Sequence, residues 1–137
     1  MVYRTDSVGD LCHHVLVPKT VVIADDHPSF RASARAILEA EGFVVIGEAE
    51  DGAGAIAAVR ELVPDVLLLD VQLPDIDGFA VCRECGVDGG RNGGPPAVVL
   101  VSSRDECDYG ALIEQSGAHG FIAKAELSGA ALADLLD

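Results

Sequence analysis

Five short aliphatic runs, each followed by turn-forming or polar residues, constrain the fold more than any other feature of the sequence. They are VVIA at 21–24, VVIGEA at 44–49, VLLL at 66–69, AVVLV at 97–101 and GFIA at 120–123. Runs of this length that are rich in β-branched residues are typical of buried strands. Helical patterns separate them, and strands that alternate with helices predict a parallel sheet with right-handed crossovers and helices on both faces.

The segments between the runs carry amphipathic helix patterns. In the first segment, Phe30, Ala34, Ile37 and Leu38 form one apolar stripe, and Gly42 follows as the expected C-terminal cap. The other helices are predicted near 53–62, after Gly78, over about 105–116 and from near Leu127.

Composition limits both the size and the partners of this fold. The 137 residues leave room for one domain of ordinary size. The 9 Lys and Arg against 23 Asp and Glu give a net charge of −14, which repels the phosphate backbone of nucleic acids. No stretch approaches the roughly 18 apolar residues that span a bilayer, and residues 1–20 lack the apolar run of a signal peptide. We therefore expect a cytoplasmic protein that binds neither nucleic acid nor membrane directly.

Two segments outside the strand and helix pattern, and a cysteine pair within it, are predicted to have no part in the chemistry. Residues 1–19 show no sustained apolar period and are interpreted as a flexible N-terminal extension ahead of a folded domain at 20–137. The glycine-rich stretch 86–96 is predicted to be a surface loop. Cys82 and Cys85 form a C-x2-C pair, but the second pair of a zinc site is missing, and a helix pattern explains them better.

Chemically active side chains follow four of the five predicted strands. Asp25 and Asp26 come directly after the first, Asp70 after the third, Ser102 after the fourth and Lys124 after the fifth. Parallel strands place their carboxyl ends at one edge of the sheet, where ligands bind in such folds. Three carboxylates at one edge repel each other unless a cation lies between them, and Mg2+ prefers carboxylate, water and phosphate oxygens. The pattern therefore predicts a magnesium site.

The same segments resemble the receiver domains of bacterial two-component response regulators. The resemblance rests on ADDHPSFRASARAILE, DVLLLDVQLPDIDGF, VVLVSS and GAHGFIAK, and it covers about residues 20–137. The DDHPSF opening is most similar to the LuxR/NarL-type subclass, whose members usually carry a C-terminal helix-turn-helix. Because the sequence ends at Asp137, we expect no such output domain in this chain; whether the chain is a stand-alone regulator or a piece of a longer one stays open.

The resemblance implies a fold and a phosphoryl acceptor. The fold is a flavodoxin-like (βα)5 three-layer sandwich with strand order 2-1-3-4-5. Asp70 is expected to be the carboxylate nucleophile that forms an acyl phosphate. Mg2+ is expected to be held by Asp26, Asp70 and the backbone carbonyl of Gln72, with Asp25 bound through water.

The remaining functional positions follow from the resemblance as well. Lys124 is expected to pair with the phosphoryl oxygens, and the Ser102 hydroxyl to bond another oxygen as the first switch residue. Phe121 matches the aromatic switch position but lacks a tyrosine hydroxyl, so plain packing is an equal alternative. Gln72 and Arg104 are expected to lie over the path of the attacking water and to slow hydrolysis; the alternative is that both are solvated loop residues.

The family commonly has a proline after the conserved lysine, whereas this chain has Ala125, which leaves the geometry of that peptide bond open.

Two rival functions remain. A haloacid-dehalogenase-like phosphatase also uses a strand-end aspartate and Mg2+, but it needs an acidic residue where this chain has Gln72. A receiver-like scaffold that binds partners without phosphorylation is disfavoured by the complete set of Asp26, Asp70, Ser102 and Lys124.

The expected partners are proteins. They are a sensor histidine kinase or phosphotransfer protein as the donor, and a downstream protein as the target of the switch. A homodimer is left open. The chain is expected to phosphorylate and dephosphorylate itself, and not to turn over external substrates as an enzyme.

Overall fold

A parallel sheet of five strands organises the part of the chain that the computed structural model describes, residues 18–88, 96–103 and 109–136. The strands lie in the order β2-β1-β3-β4-β5, and every neighbouring pair is parallel. They are β1 (Thr20–Ala24), β2 (Val44–Ala49), β3 (Val66–Asp70), β4 (Ala97–Ser102) and β5 (Gly120–Ala123). The helices are α1 (Pro28–Ala40), α2 (Gly52–Leu62), α3 (Gly78–Asp88), α4 (Gly110–Ser116) and α5 (Gly129–Leu136).

Helices cover both faces of the sheet, so the expected three-layer sandwich is confirmed. Alternate side chains along each strand point to opposite faces. In β3, Leu67 and Leu69 pack with α2, α3 and the partly buried Ile113 of α4, whereas Val66 and Leu68 pack with α1 and α5. All residues of β3 are buried, because the strand lies in the centre of the sheet with a helix layer on each side.

The predicted strands are confirmed within one residue, and the helices differ mainly at their ends. Helix α1 ends where Gly42 takes a positive φ of 104°, a conformation that favours glycine, as predicted from the sequence. Helix α5 begins at Gly129 instead of Leu127. The reason is Ser128, whose hydroxyl accepts a hydrogen bond from the Ala131 amide at 3.0 Å and caps the helix there.

The glycine-rich stretch begins later than predicted, because α3 continues through Gly86 to Asp88; residues 89–95 of the predicted loop lie outside the described residues. Cys82 and Cys85 lie on α3 and are buried in the core beneath it, in agreement with the helix pattern. The predicted extension, apart from residues 18 and 19, and the first part of the predicted fourth helix, 105–108, also lie outside the described residues.

Two aspartates that the sequence patterns did not single out fix the start of α2. The carboxylate of Asp75, in the loop between β3 and α3, accepts hydrogen bonds from the Gly52 and Ala53 amides at 2.7 and 2.9 Å. Asp51 accepts one from the Gly54 amide at 2.7 Å. The amides lower the pKa of Asp75, since they stabilise its charged form. The loop that follows Asp70 is thereby tied to the neighbouring helix.

Gly78, the first residue of α3, lies against the backbone of the same loop. Its amide donates to the Val71 carbonyl at 2.7 Å, and a Cβ at this position would meet the Asp70 carbonyl oxygen and the Cα of Val71. Only glycine therefore allows α3 to begin this close to the end of β3.

Replacing this glycine with alanine tests the close approach. Gly78→Ala should lower the free energy of unfolding by about 1–3 kcal/mol, as overpacking does, when measured by urea denaturation. Alanine is intrinsically the better helix former by about 1 kcal/mol, so a helix start without crowding would become more stable. A gain in stability would contradict the contact between α3 and the backbone at Asp70.

Candidate functional site

The carboxyl edge of the sheet gathers the residues that the sequence placed at strand ends. Asp25 follows β1, and its amide donates to the Ala49 carbonyl at 2.9 Å, which extends the pairing with β2 by one residue. Asp70 is the last residue of β3, Ser102 is the last residue of β4, and Lys124 follows β5 directly. Asp25 and Ser102 are completely buried, and Asp70 is 3% exposed.

Lys124 brings the two buried carboxylates together. Its Nζ lies 2.6 Å from Asp25 Oδ2 and 3.6 Å from Asp70 Oδ2. The same ammonium lies 4.6 Å from the centroid of the Phe30 ring on α1, at the distance of a cation–π contact. Phe30 entered the sequence analysis only as a member of an apolar stripe, because its contact with Lys124 depends on how α1 crosses the sheet.

The two oxygens of Asp25 have different surroundings. Oδ1 accepts a hydrogen bond from the His27 amide at 2.8 Å and lies 3.0 Å from Nδ1 of the same histidine. Oδ2 is buried and faces Lys124 at ion-pair distance, but it has no directed hydrogen bond among the described residues. A buried carboxylate oxygen without such a bond is costly unless a cation neutralises it.

The surroundings of Asp70 raise its pKa. Burial, and after it the charge of Asp25, raises the pKa of Asp70 to about 6, although Lys124 and the Gln72 amide act in the opposite direction. The Gln72 amide donates to Asp70 Oδ1 at 3.2 Å, while the Gln72 side chain is exposed. Without a further cation, the folded pocket therefore makes the charged form of Asp70 less favourable than that of an exposed aspartate, and the neutral form prevails only below about pH 6.

The donor set fits a hard divalent cation. Asp25, Asp26, His27 and Asp70 each offer one ligand atom, and these atoms lie within 4.8 Å of one another. Three carboxylates, one of them with an oxygen that lacks a directed hydrogen bond, are the ligands that Mg2+ prefers. His27 was not singled out as a candidate ligand; its position directly after the acidic pair was the available signal.

Arginines of α1 hold the backbone that carries the acidic pair. Arg31 Nη1 donates to the Asp25 carbonyl at 2.5 Å, and its Nε lies 3.0 Å from Glu48 Oε1. Arg35 reaches the other Glu48 oxygen at 2.9 Å, and this hydrogen bond is the main reason that the pKa of Glu48 is lowered. These contacts were not predicted, since they link residues of α1 and β2 that share no pattern in the sequence.

The Ser102 side of the pocket contains an aromatic cluster. Ser102 Oγ and Tyr109 Oη share a hydrogen bond of 3.2 Å. The Tyr109 ring packs against Phe79 with centroids 5.6 Å apart and against Phe121 with centroids 6.2 Å apart. The predicted switch residues Ser102 and Phe121 therefore both contact Tyr109, which the sequence analysis did not identify. Arg104, the second residue predicted to affect hydrolysis, lies outside the described residues.

Comparison with known proteins agrees with this arrangement. A family model for the response regulator receiver domain matches residues 21–136. This chain belongs to the receiver-domain family. It is 41% identical over 110 residues to the probable transcriptional regulatory protein NarL of Mycobacterium tuberculosis (strain CDC 1551 / Oshkosh), a match that covers 76% of this chain and 47% of that protein.

Other relatives give the same assignment. The DNA-binding response regulator MtrA of Mycolicibacterium smegmatis is 40% identical over 106 residues, which covers 76% of this chain and 43% of that protein. The structure superposes on the signal receiver domain of NarL from M. tuberculosis with a TM-score of 0.76 and 34% identity, covering 85% of this chain and 94% of that one. The receiver fold is therefore shown, and the chain spans about half the length of the curated relatives it matches.

Within the described residues, no helix of this receiver domain is long and apolar enough to cross a membrane.

The raised pKa of Asp70 predicts how stability depends on pH when no metal is added. Between about pH 4 and 6 the folded state binds a proton at Asp70 that the unfolded state has lost, so stability from this residue falls as pH rises. Asp70→Asn should remove the loss. The free energy of unfolding of the variant, relative to that of the parent protein, should therefore increase by at most about 3 kcal/mol from pH 4.5 to pH 8. Urea denaturation in the presence of EDTA measures this difference.

Asp134→Asn, at an exposed position on α5, is the matched control and should follow the parent protein at both pH values. If Asp70→Asn also keeps a constant difference from the parent protein at the two pH values, the pocket does not disfavour a charged Asp70.

Proposed function

We propose that this receiver domain accepts a phosphoryl group on Asp70 in the presence of Mg2+ and passes the signal to a protein partner by a change of conformation. The observation that carries the proposal is the position of the Lys124 ammonium between the buried carboxylates of Asp25 and Asp70, at the carboxyl edge of the sheet. Membership of the receiver-domain family supports it.

Asp70 is the nucleophile in this proposal. One of its carboxylate oxygens attacks the phosphorus of a phosphohistidine, a new O–P bond forms, the N–P bond breaks, and the released imidazole takes a proton. The product is an acyl phosphate. Asp25, Asp26, Asp70 and the Gln72 carbonyl would hold Mg2+, which when bound offsets the charge of the phosphoryl oxygens.

Lys124 and Ser102 bind the oxygens of the phosphoryl group once it is on Asp70. The Lys124 ammonium is already 3.6 Å from Asp70 Oδ2, so it can pair with a phosphoryl oxygen on that carboxylate after a small movement. The Ser102 hydroxyl, at the end of the neighbouring strand, donates to another oxygen. Gln72, with its exposed side chain, and Arg104 are proposed to slow the hydrolysis of the acyl phosphate.

The proposed setting is that of a two-component system. The donor is a sensor histidine kinase or a phosphotransfer protein, the site of action is the cytoplasm, and the target is a downstream protein, with a homodimer as one form of the active state. The net charge of −14 favours protein partners over nucleic acid for this chain. External phosphoesters are not proposed as substrates, because position 72 holds glutamine and offers no general acid.

Phosphorylation by a small donor tests the proposal without the cognate kinase. Incubation with acetyl phosphate and Mg2+ should add one phosphoryl mass to the intact protein, because Asp70 lies beside both Lys124 and the acidic pair Asp25 and Asp26. Asp70→Asn should abolish the added mass. Asp134→Asn, which removes an exposed carboxylate on α5, should keep it.

Two results would contradict the proposal. Persistent labelling of Asp70→Asn would move the acceptor elsewhere. Release of many phosphates per protein molecule from p-nitrophenyl phosphate would favour the phosphatase hypothesis instead.

A further inference from the structure

Ser102 lies next to the proposed acceptor in the sheet. Asp70 pairs with Val101 of β4, and the Val71 amide donates to the Val101 carbonyl at 2.9 Å. Ser102 is the following residue and the last of its strand. Its hydroxyl is completely buried and hydrogen-bonded to Tyr109, so a change in the position of Ser102 Oγ must also change the surroundings of Tyr109.

Tyr109 is anchored through its ring as well as its hydroxyl. Its ring lies edge-on to Phe79 of α3 and tilted against Phe121 of β5. Of these three rings only that of Tyr109 has a hydroxyl, so Phe121, at the expected switch position, offers no hydrogen bond to Ser102. The polar partner of Ser102 in this cluster is supplied by the residue that precedes α4.

The backbone of Tyr109 belongs to the first turn of α4. Tyr109 is the N-cap residue of the helix, and its carbonyl accepts a hydrogen bond from the Leu112 amide at 2.7 Å. Leu112 is 49% exposed and lies on the surface of this helix. A displacement of Tyr109 would therefore also move the first turn of α4, which carries the exposed Leu112.

We propose that Tyr109 is the residue through which Ser102 transmits the phosphorylation of Asp70 to helix α4, an inference that rests on the function proposed above. A serine hydroxyl has one proton. When Ser102 donates it to a phosphoryl oxygen, the Tyr109 hydroxyl keeps its bond to Ser102 Oγ only as the donor. Tyr109 then follows Ser102 toward the phosphoryl group, and its ring shifts between Phe79 and Phe121.

The sequence provides a direct optical reporter of this shift. The chain has two tyrosines and no tryptophan, so Tyr3→Phe leaves Tyr109 as its only emitting tyrosine. Beryllofluoride with Mg2+ serves as the stable mimic of the phosphoryl group. Addition of this mimic should change the Tyr109 emission in a saturable manner, and Asp70→Asn in the Tyr3→Phe background should show no change. Constant emission in a protein that does take up a phosphoryl group from acetyl phosphate would overturn the inference.

The role of the hydroxyl is tested by Tyr109→Phe, which keeps the ring. Hydrogen exchange of the amides at 110–116 should respond to beryllofluoride in the parent protein and in Tyr3→Phe, the matched loss of a tyrosine hydroxyl elsewhere in the chain. In Tyr109→Phe the response should fall about threefold to tenfold, the population shift that one neutral hydrogen bond can carry.

The mass that phosphorylation adds to the protein, measured in the same samples, distinguishes a failure of this inference from a failure of the proposed function. No added mass in the parent protein would refute both. Added mass with an equal exchange response in Tyr109→Phe would refute only the role of Tyr109. Loss of the added mass in Tyr109→Phe would also refute the role of Tyr109. The hydroxyl would then be needed for the phosphorylation of Asp70 itself and not for the coupling of Ser102 to α4.

Discussion

The arrangement of this domain depends on two buried carboxylates that share one ammonium. Asp25 and Asp70 are withdrawn from water at the edge of the sheet, and Lys124 lies 2.6 and 3.6 Å from their oxygens. Burying like charges this close together is unfavourable, as the raised pKa of Asp70 records. The imbalance agrees with the proposed binding of a divalent cation and, with it, of a phosphoryl group, since a fully neutralised pocket would gain little from either.

The fold maintains this unfavourable arrangement through contacts from the strands and helices around Asp25, Asp70 and Lys124. Asp70 ends a strand that is buried on both faces, and Gly78 lets α3 begin against its backbone. Arg31 fixes the carbonyl of Asp25, and the Phe30 ring lies beneath the ammonium of Lys124. On the side of the pocket near Ser102, the hydrogen bond between Ser102 Oγ and Tyr109 Oη leads to the start of α4. Contacts from α1 and α3 thus support the residues around Asp70, and the proposed path of movement leads away from them through Ser102 and Tyr109.

The strands and the pocket residues were predictable because both follow from local patterns. Aliphatic runs identify the strands, and parallel pairing then brings Asp25, Asp70, Ser102 and Lys124 to one edge. The contacts of Tyr109, by contrast, depend on the rotation and closeness of helices, which periodicity does not specify. The start of α5 lies two residues after the predicted start near Leu127, because the cap at Ser128 determines where the helix begins. Sequence patterns identified the pocket residues, whereas the contacts between these residues and their neighbours depend on side-chain packing.

Calorimetric titration of Mg2+ into the parent protein, Asp26→Asn and Asp134→Asn tests directly whether the acidic pocket binds a cation. If the acidic pocket is the cation site, the parent protein and Asp134→Asn should bind one Mg2+ per chain with equal affinity. Asp26→Asn should bind it about tenfold more weakly or worse, since a hard cation loses one of its few charged ligands. Identical titrations for the parent protein and Asp26→Asn would contradict the claim that surplus negative charge in this pocket is built to receive a cation.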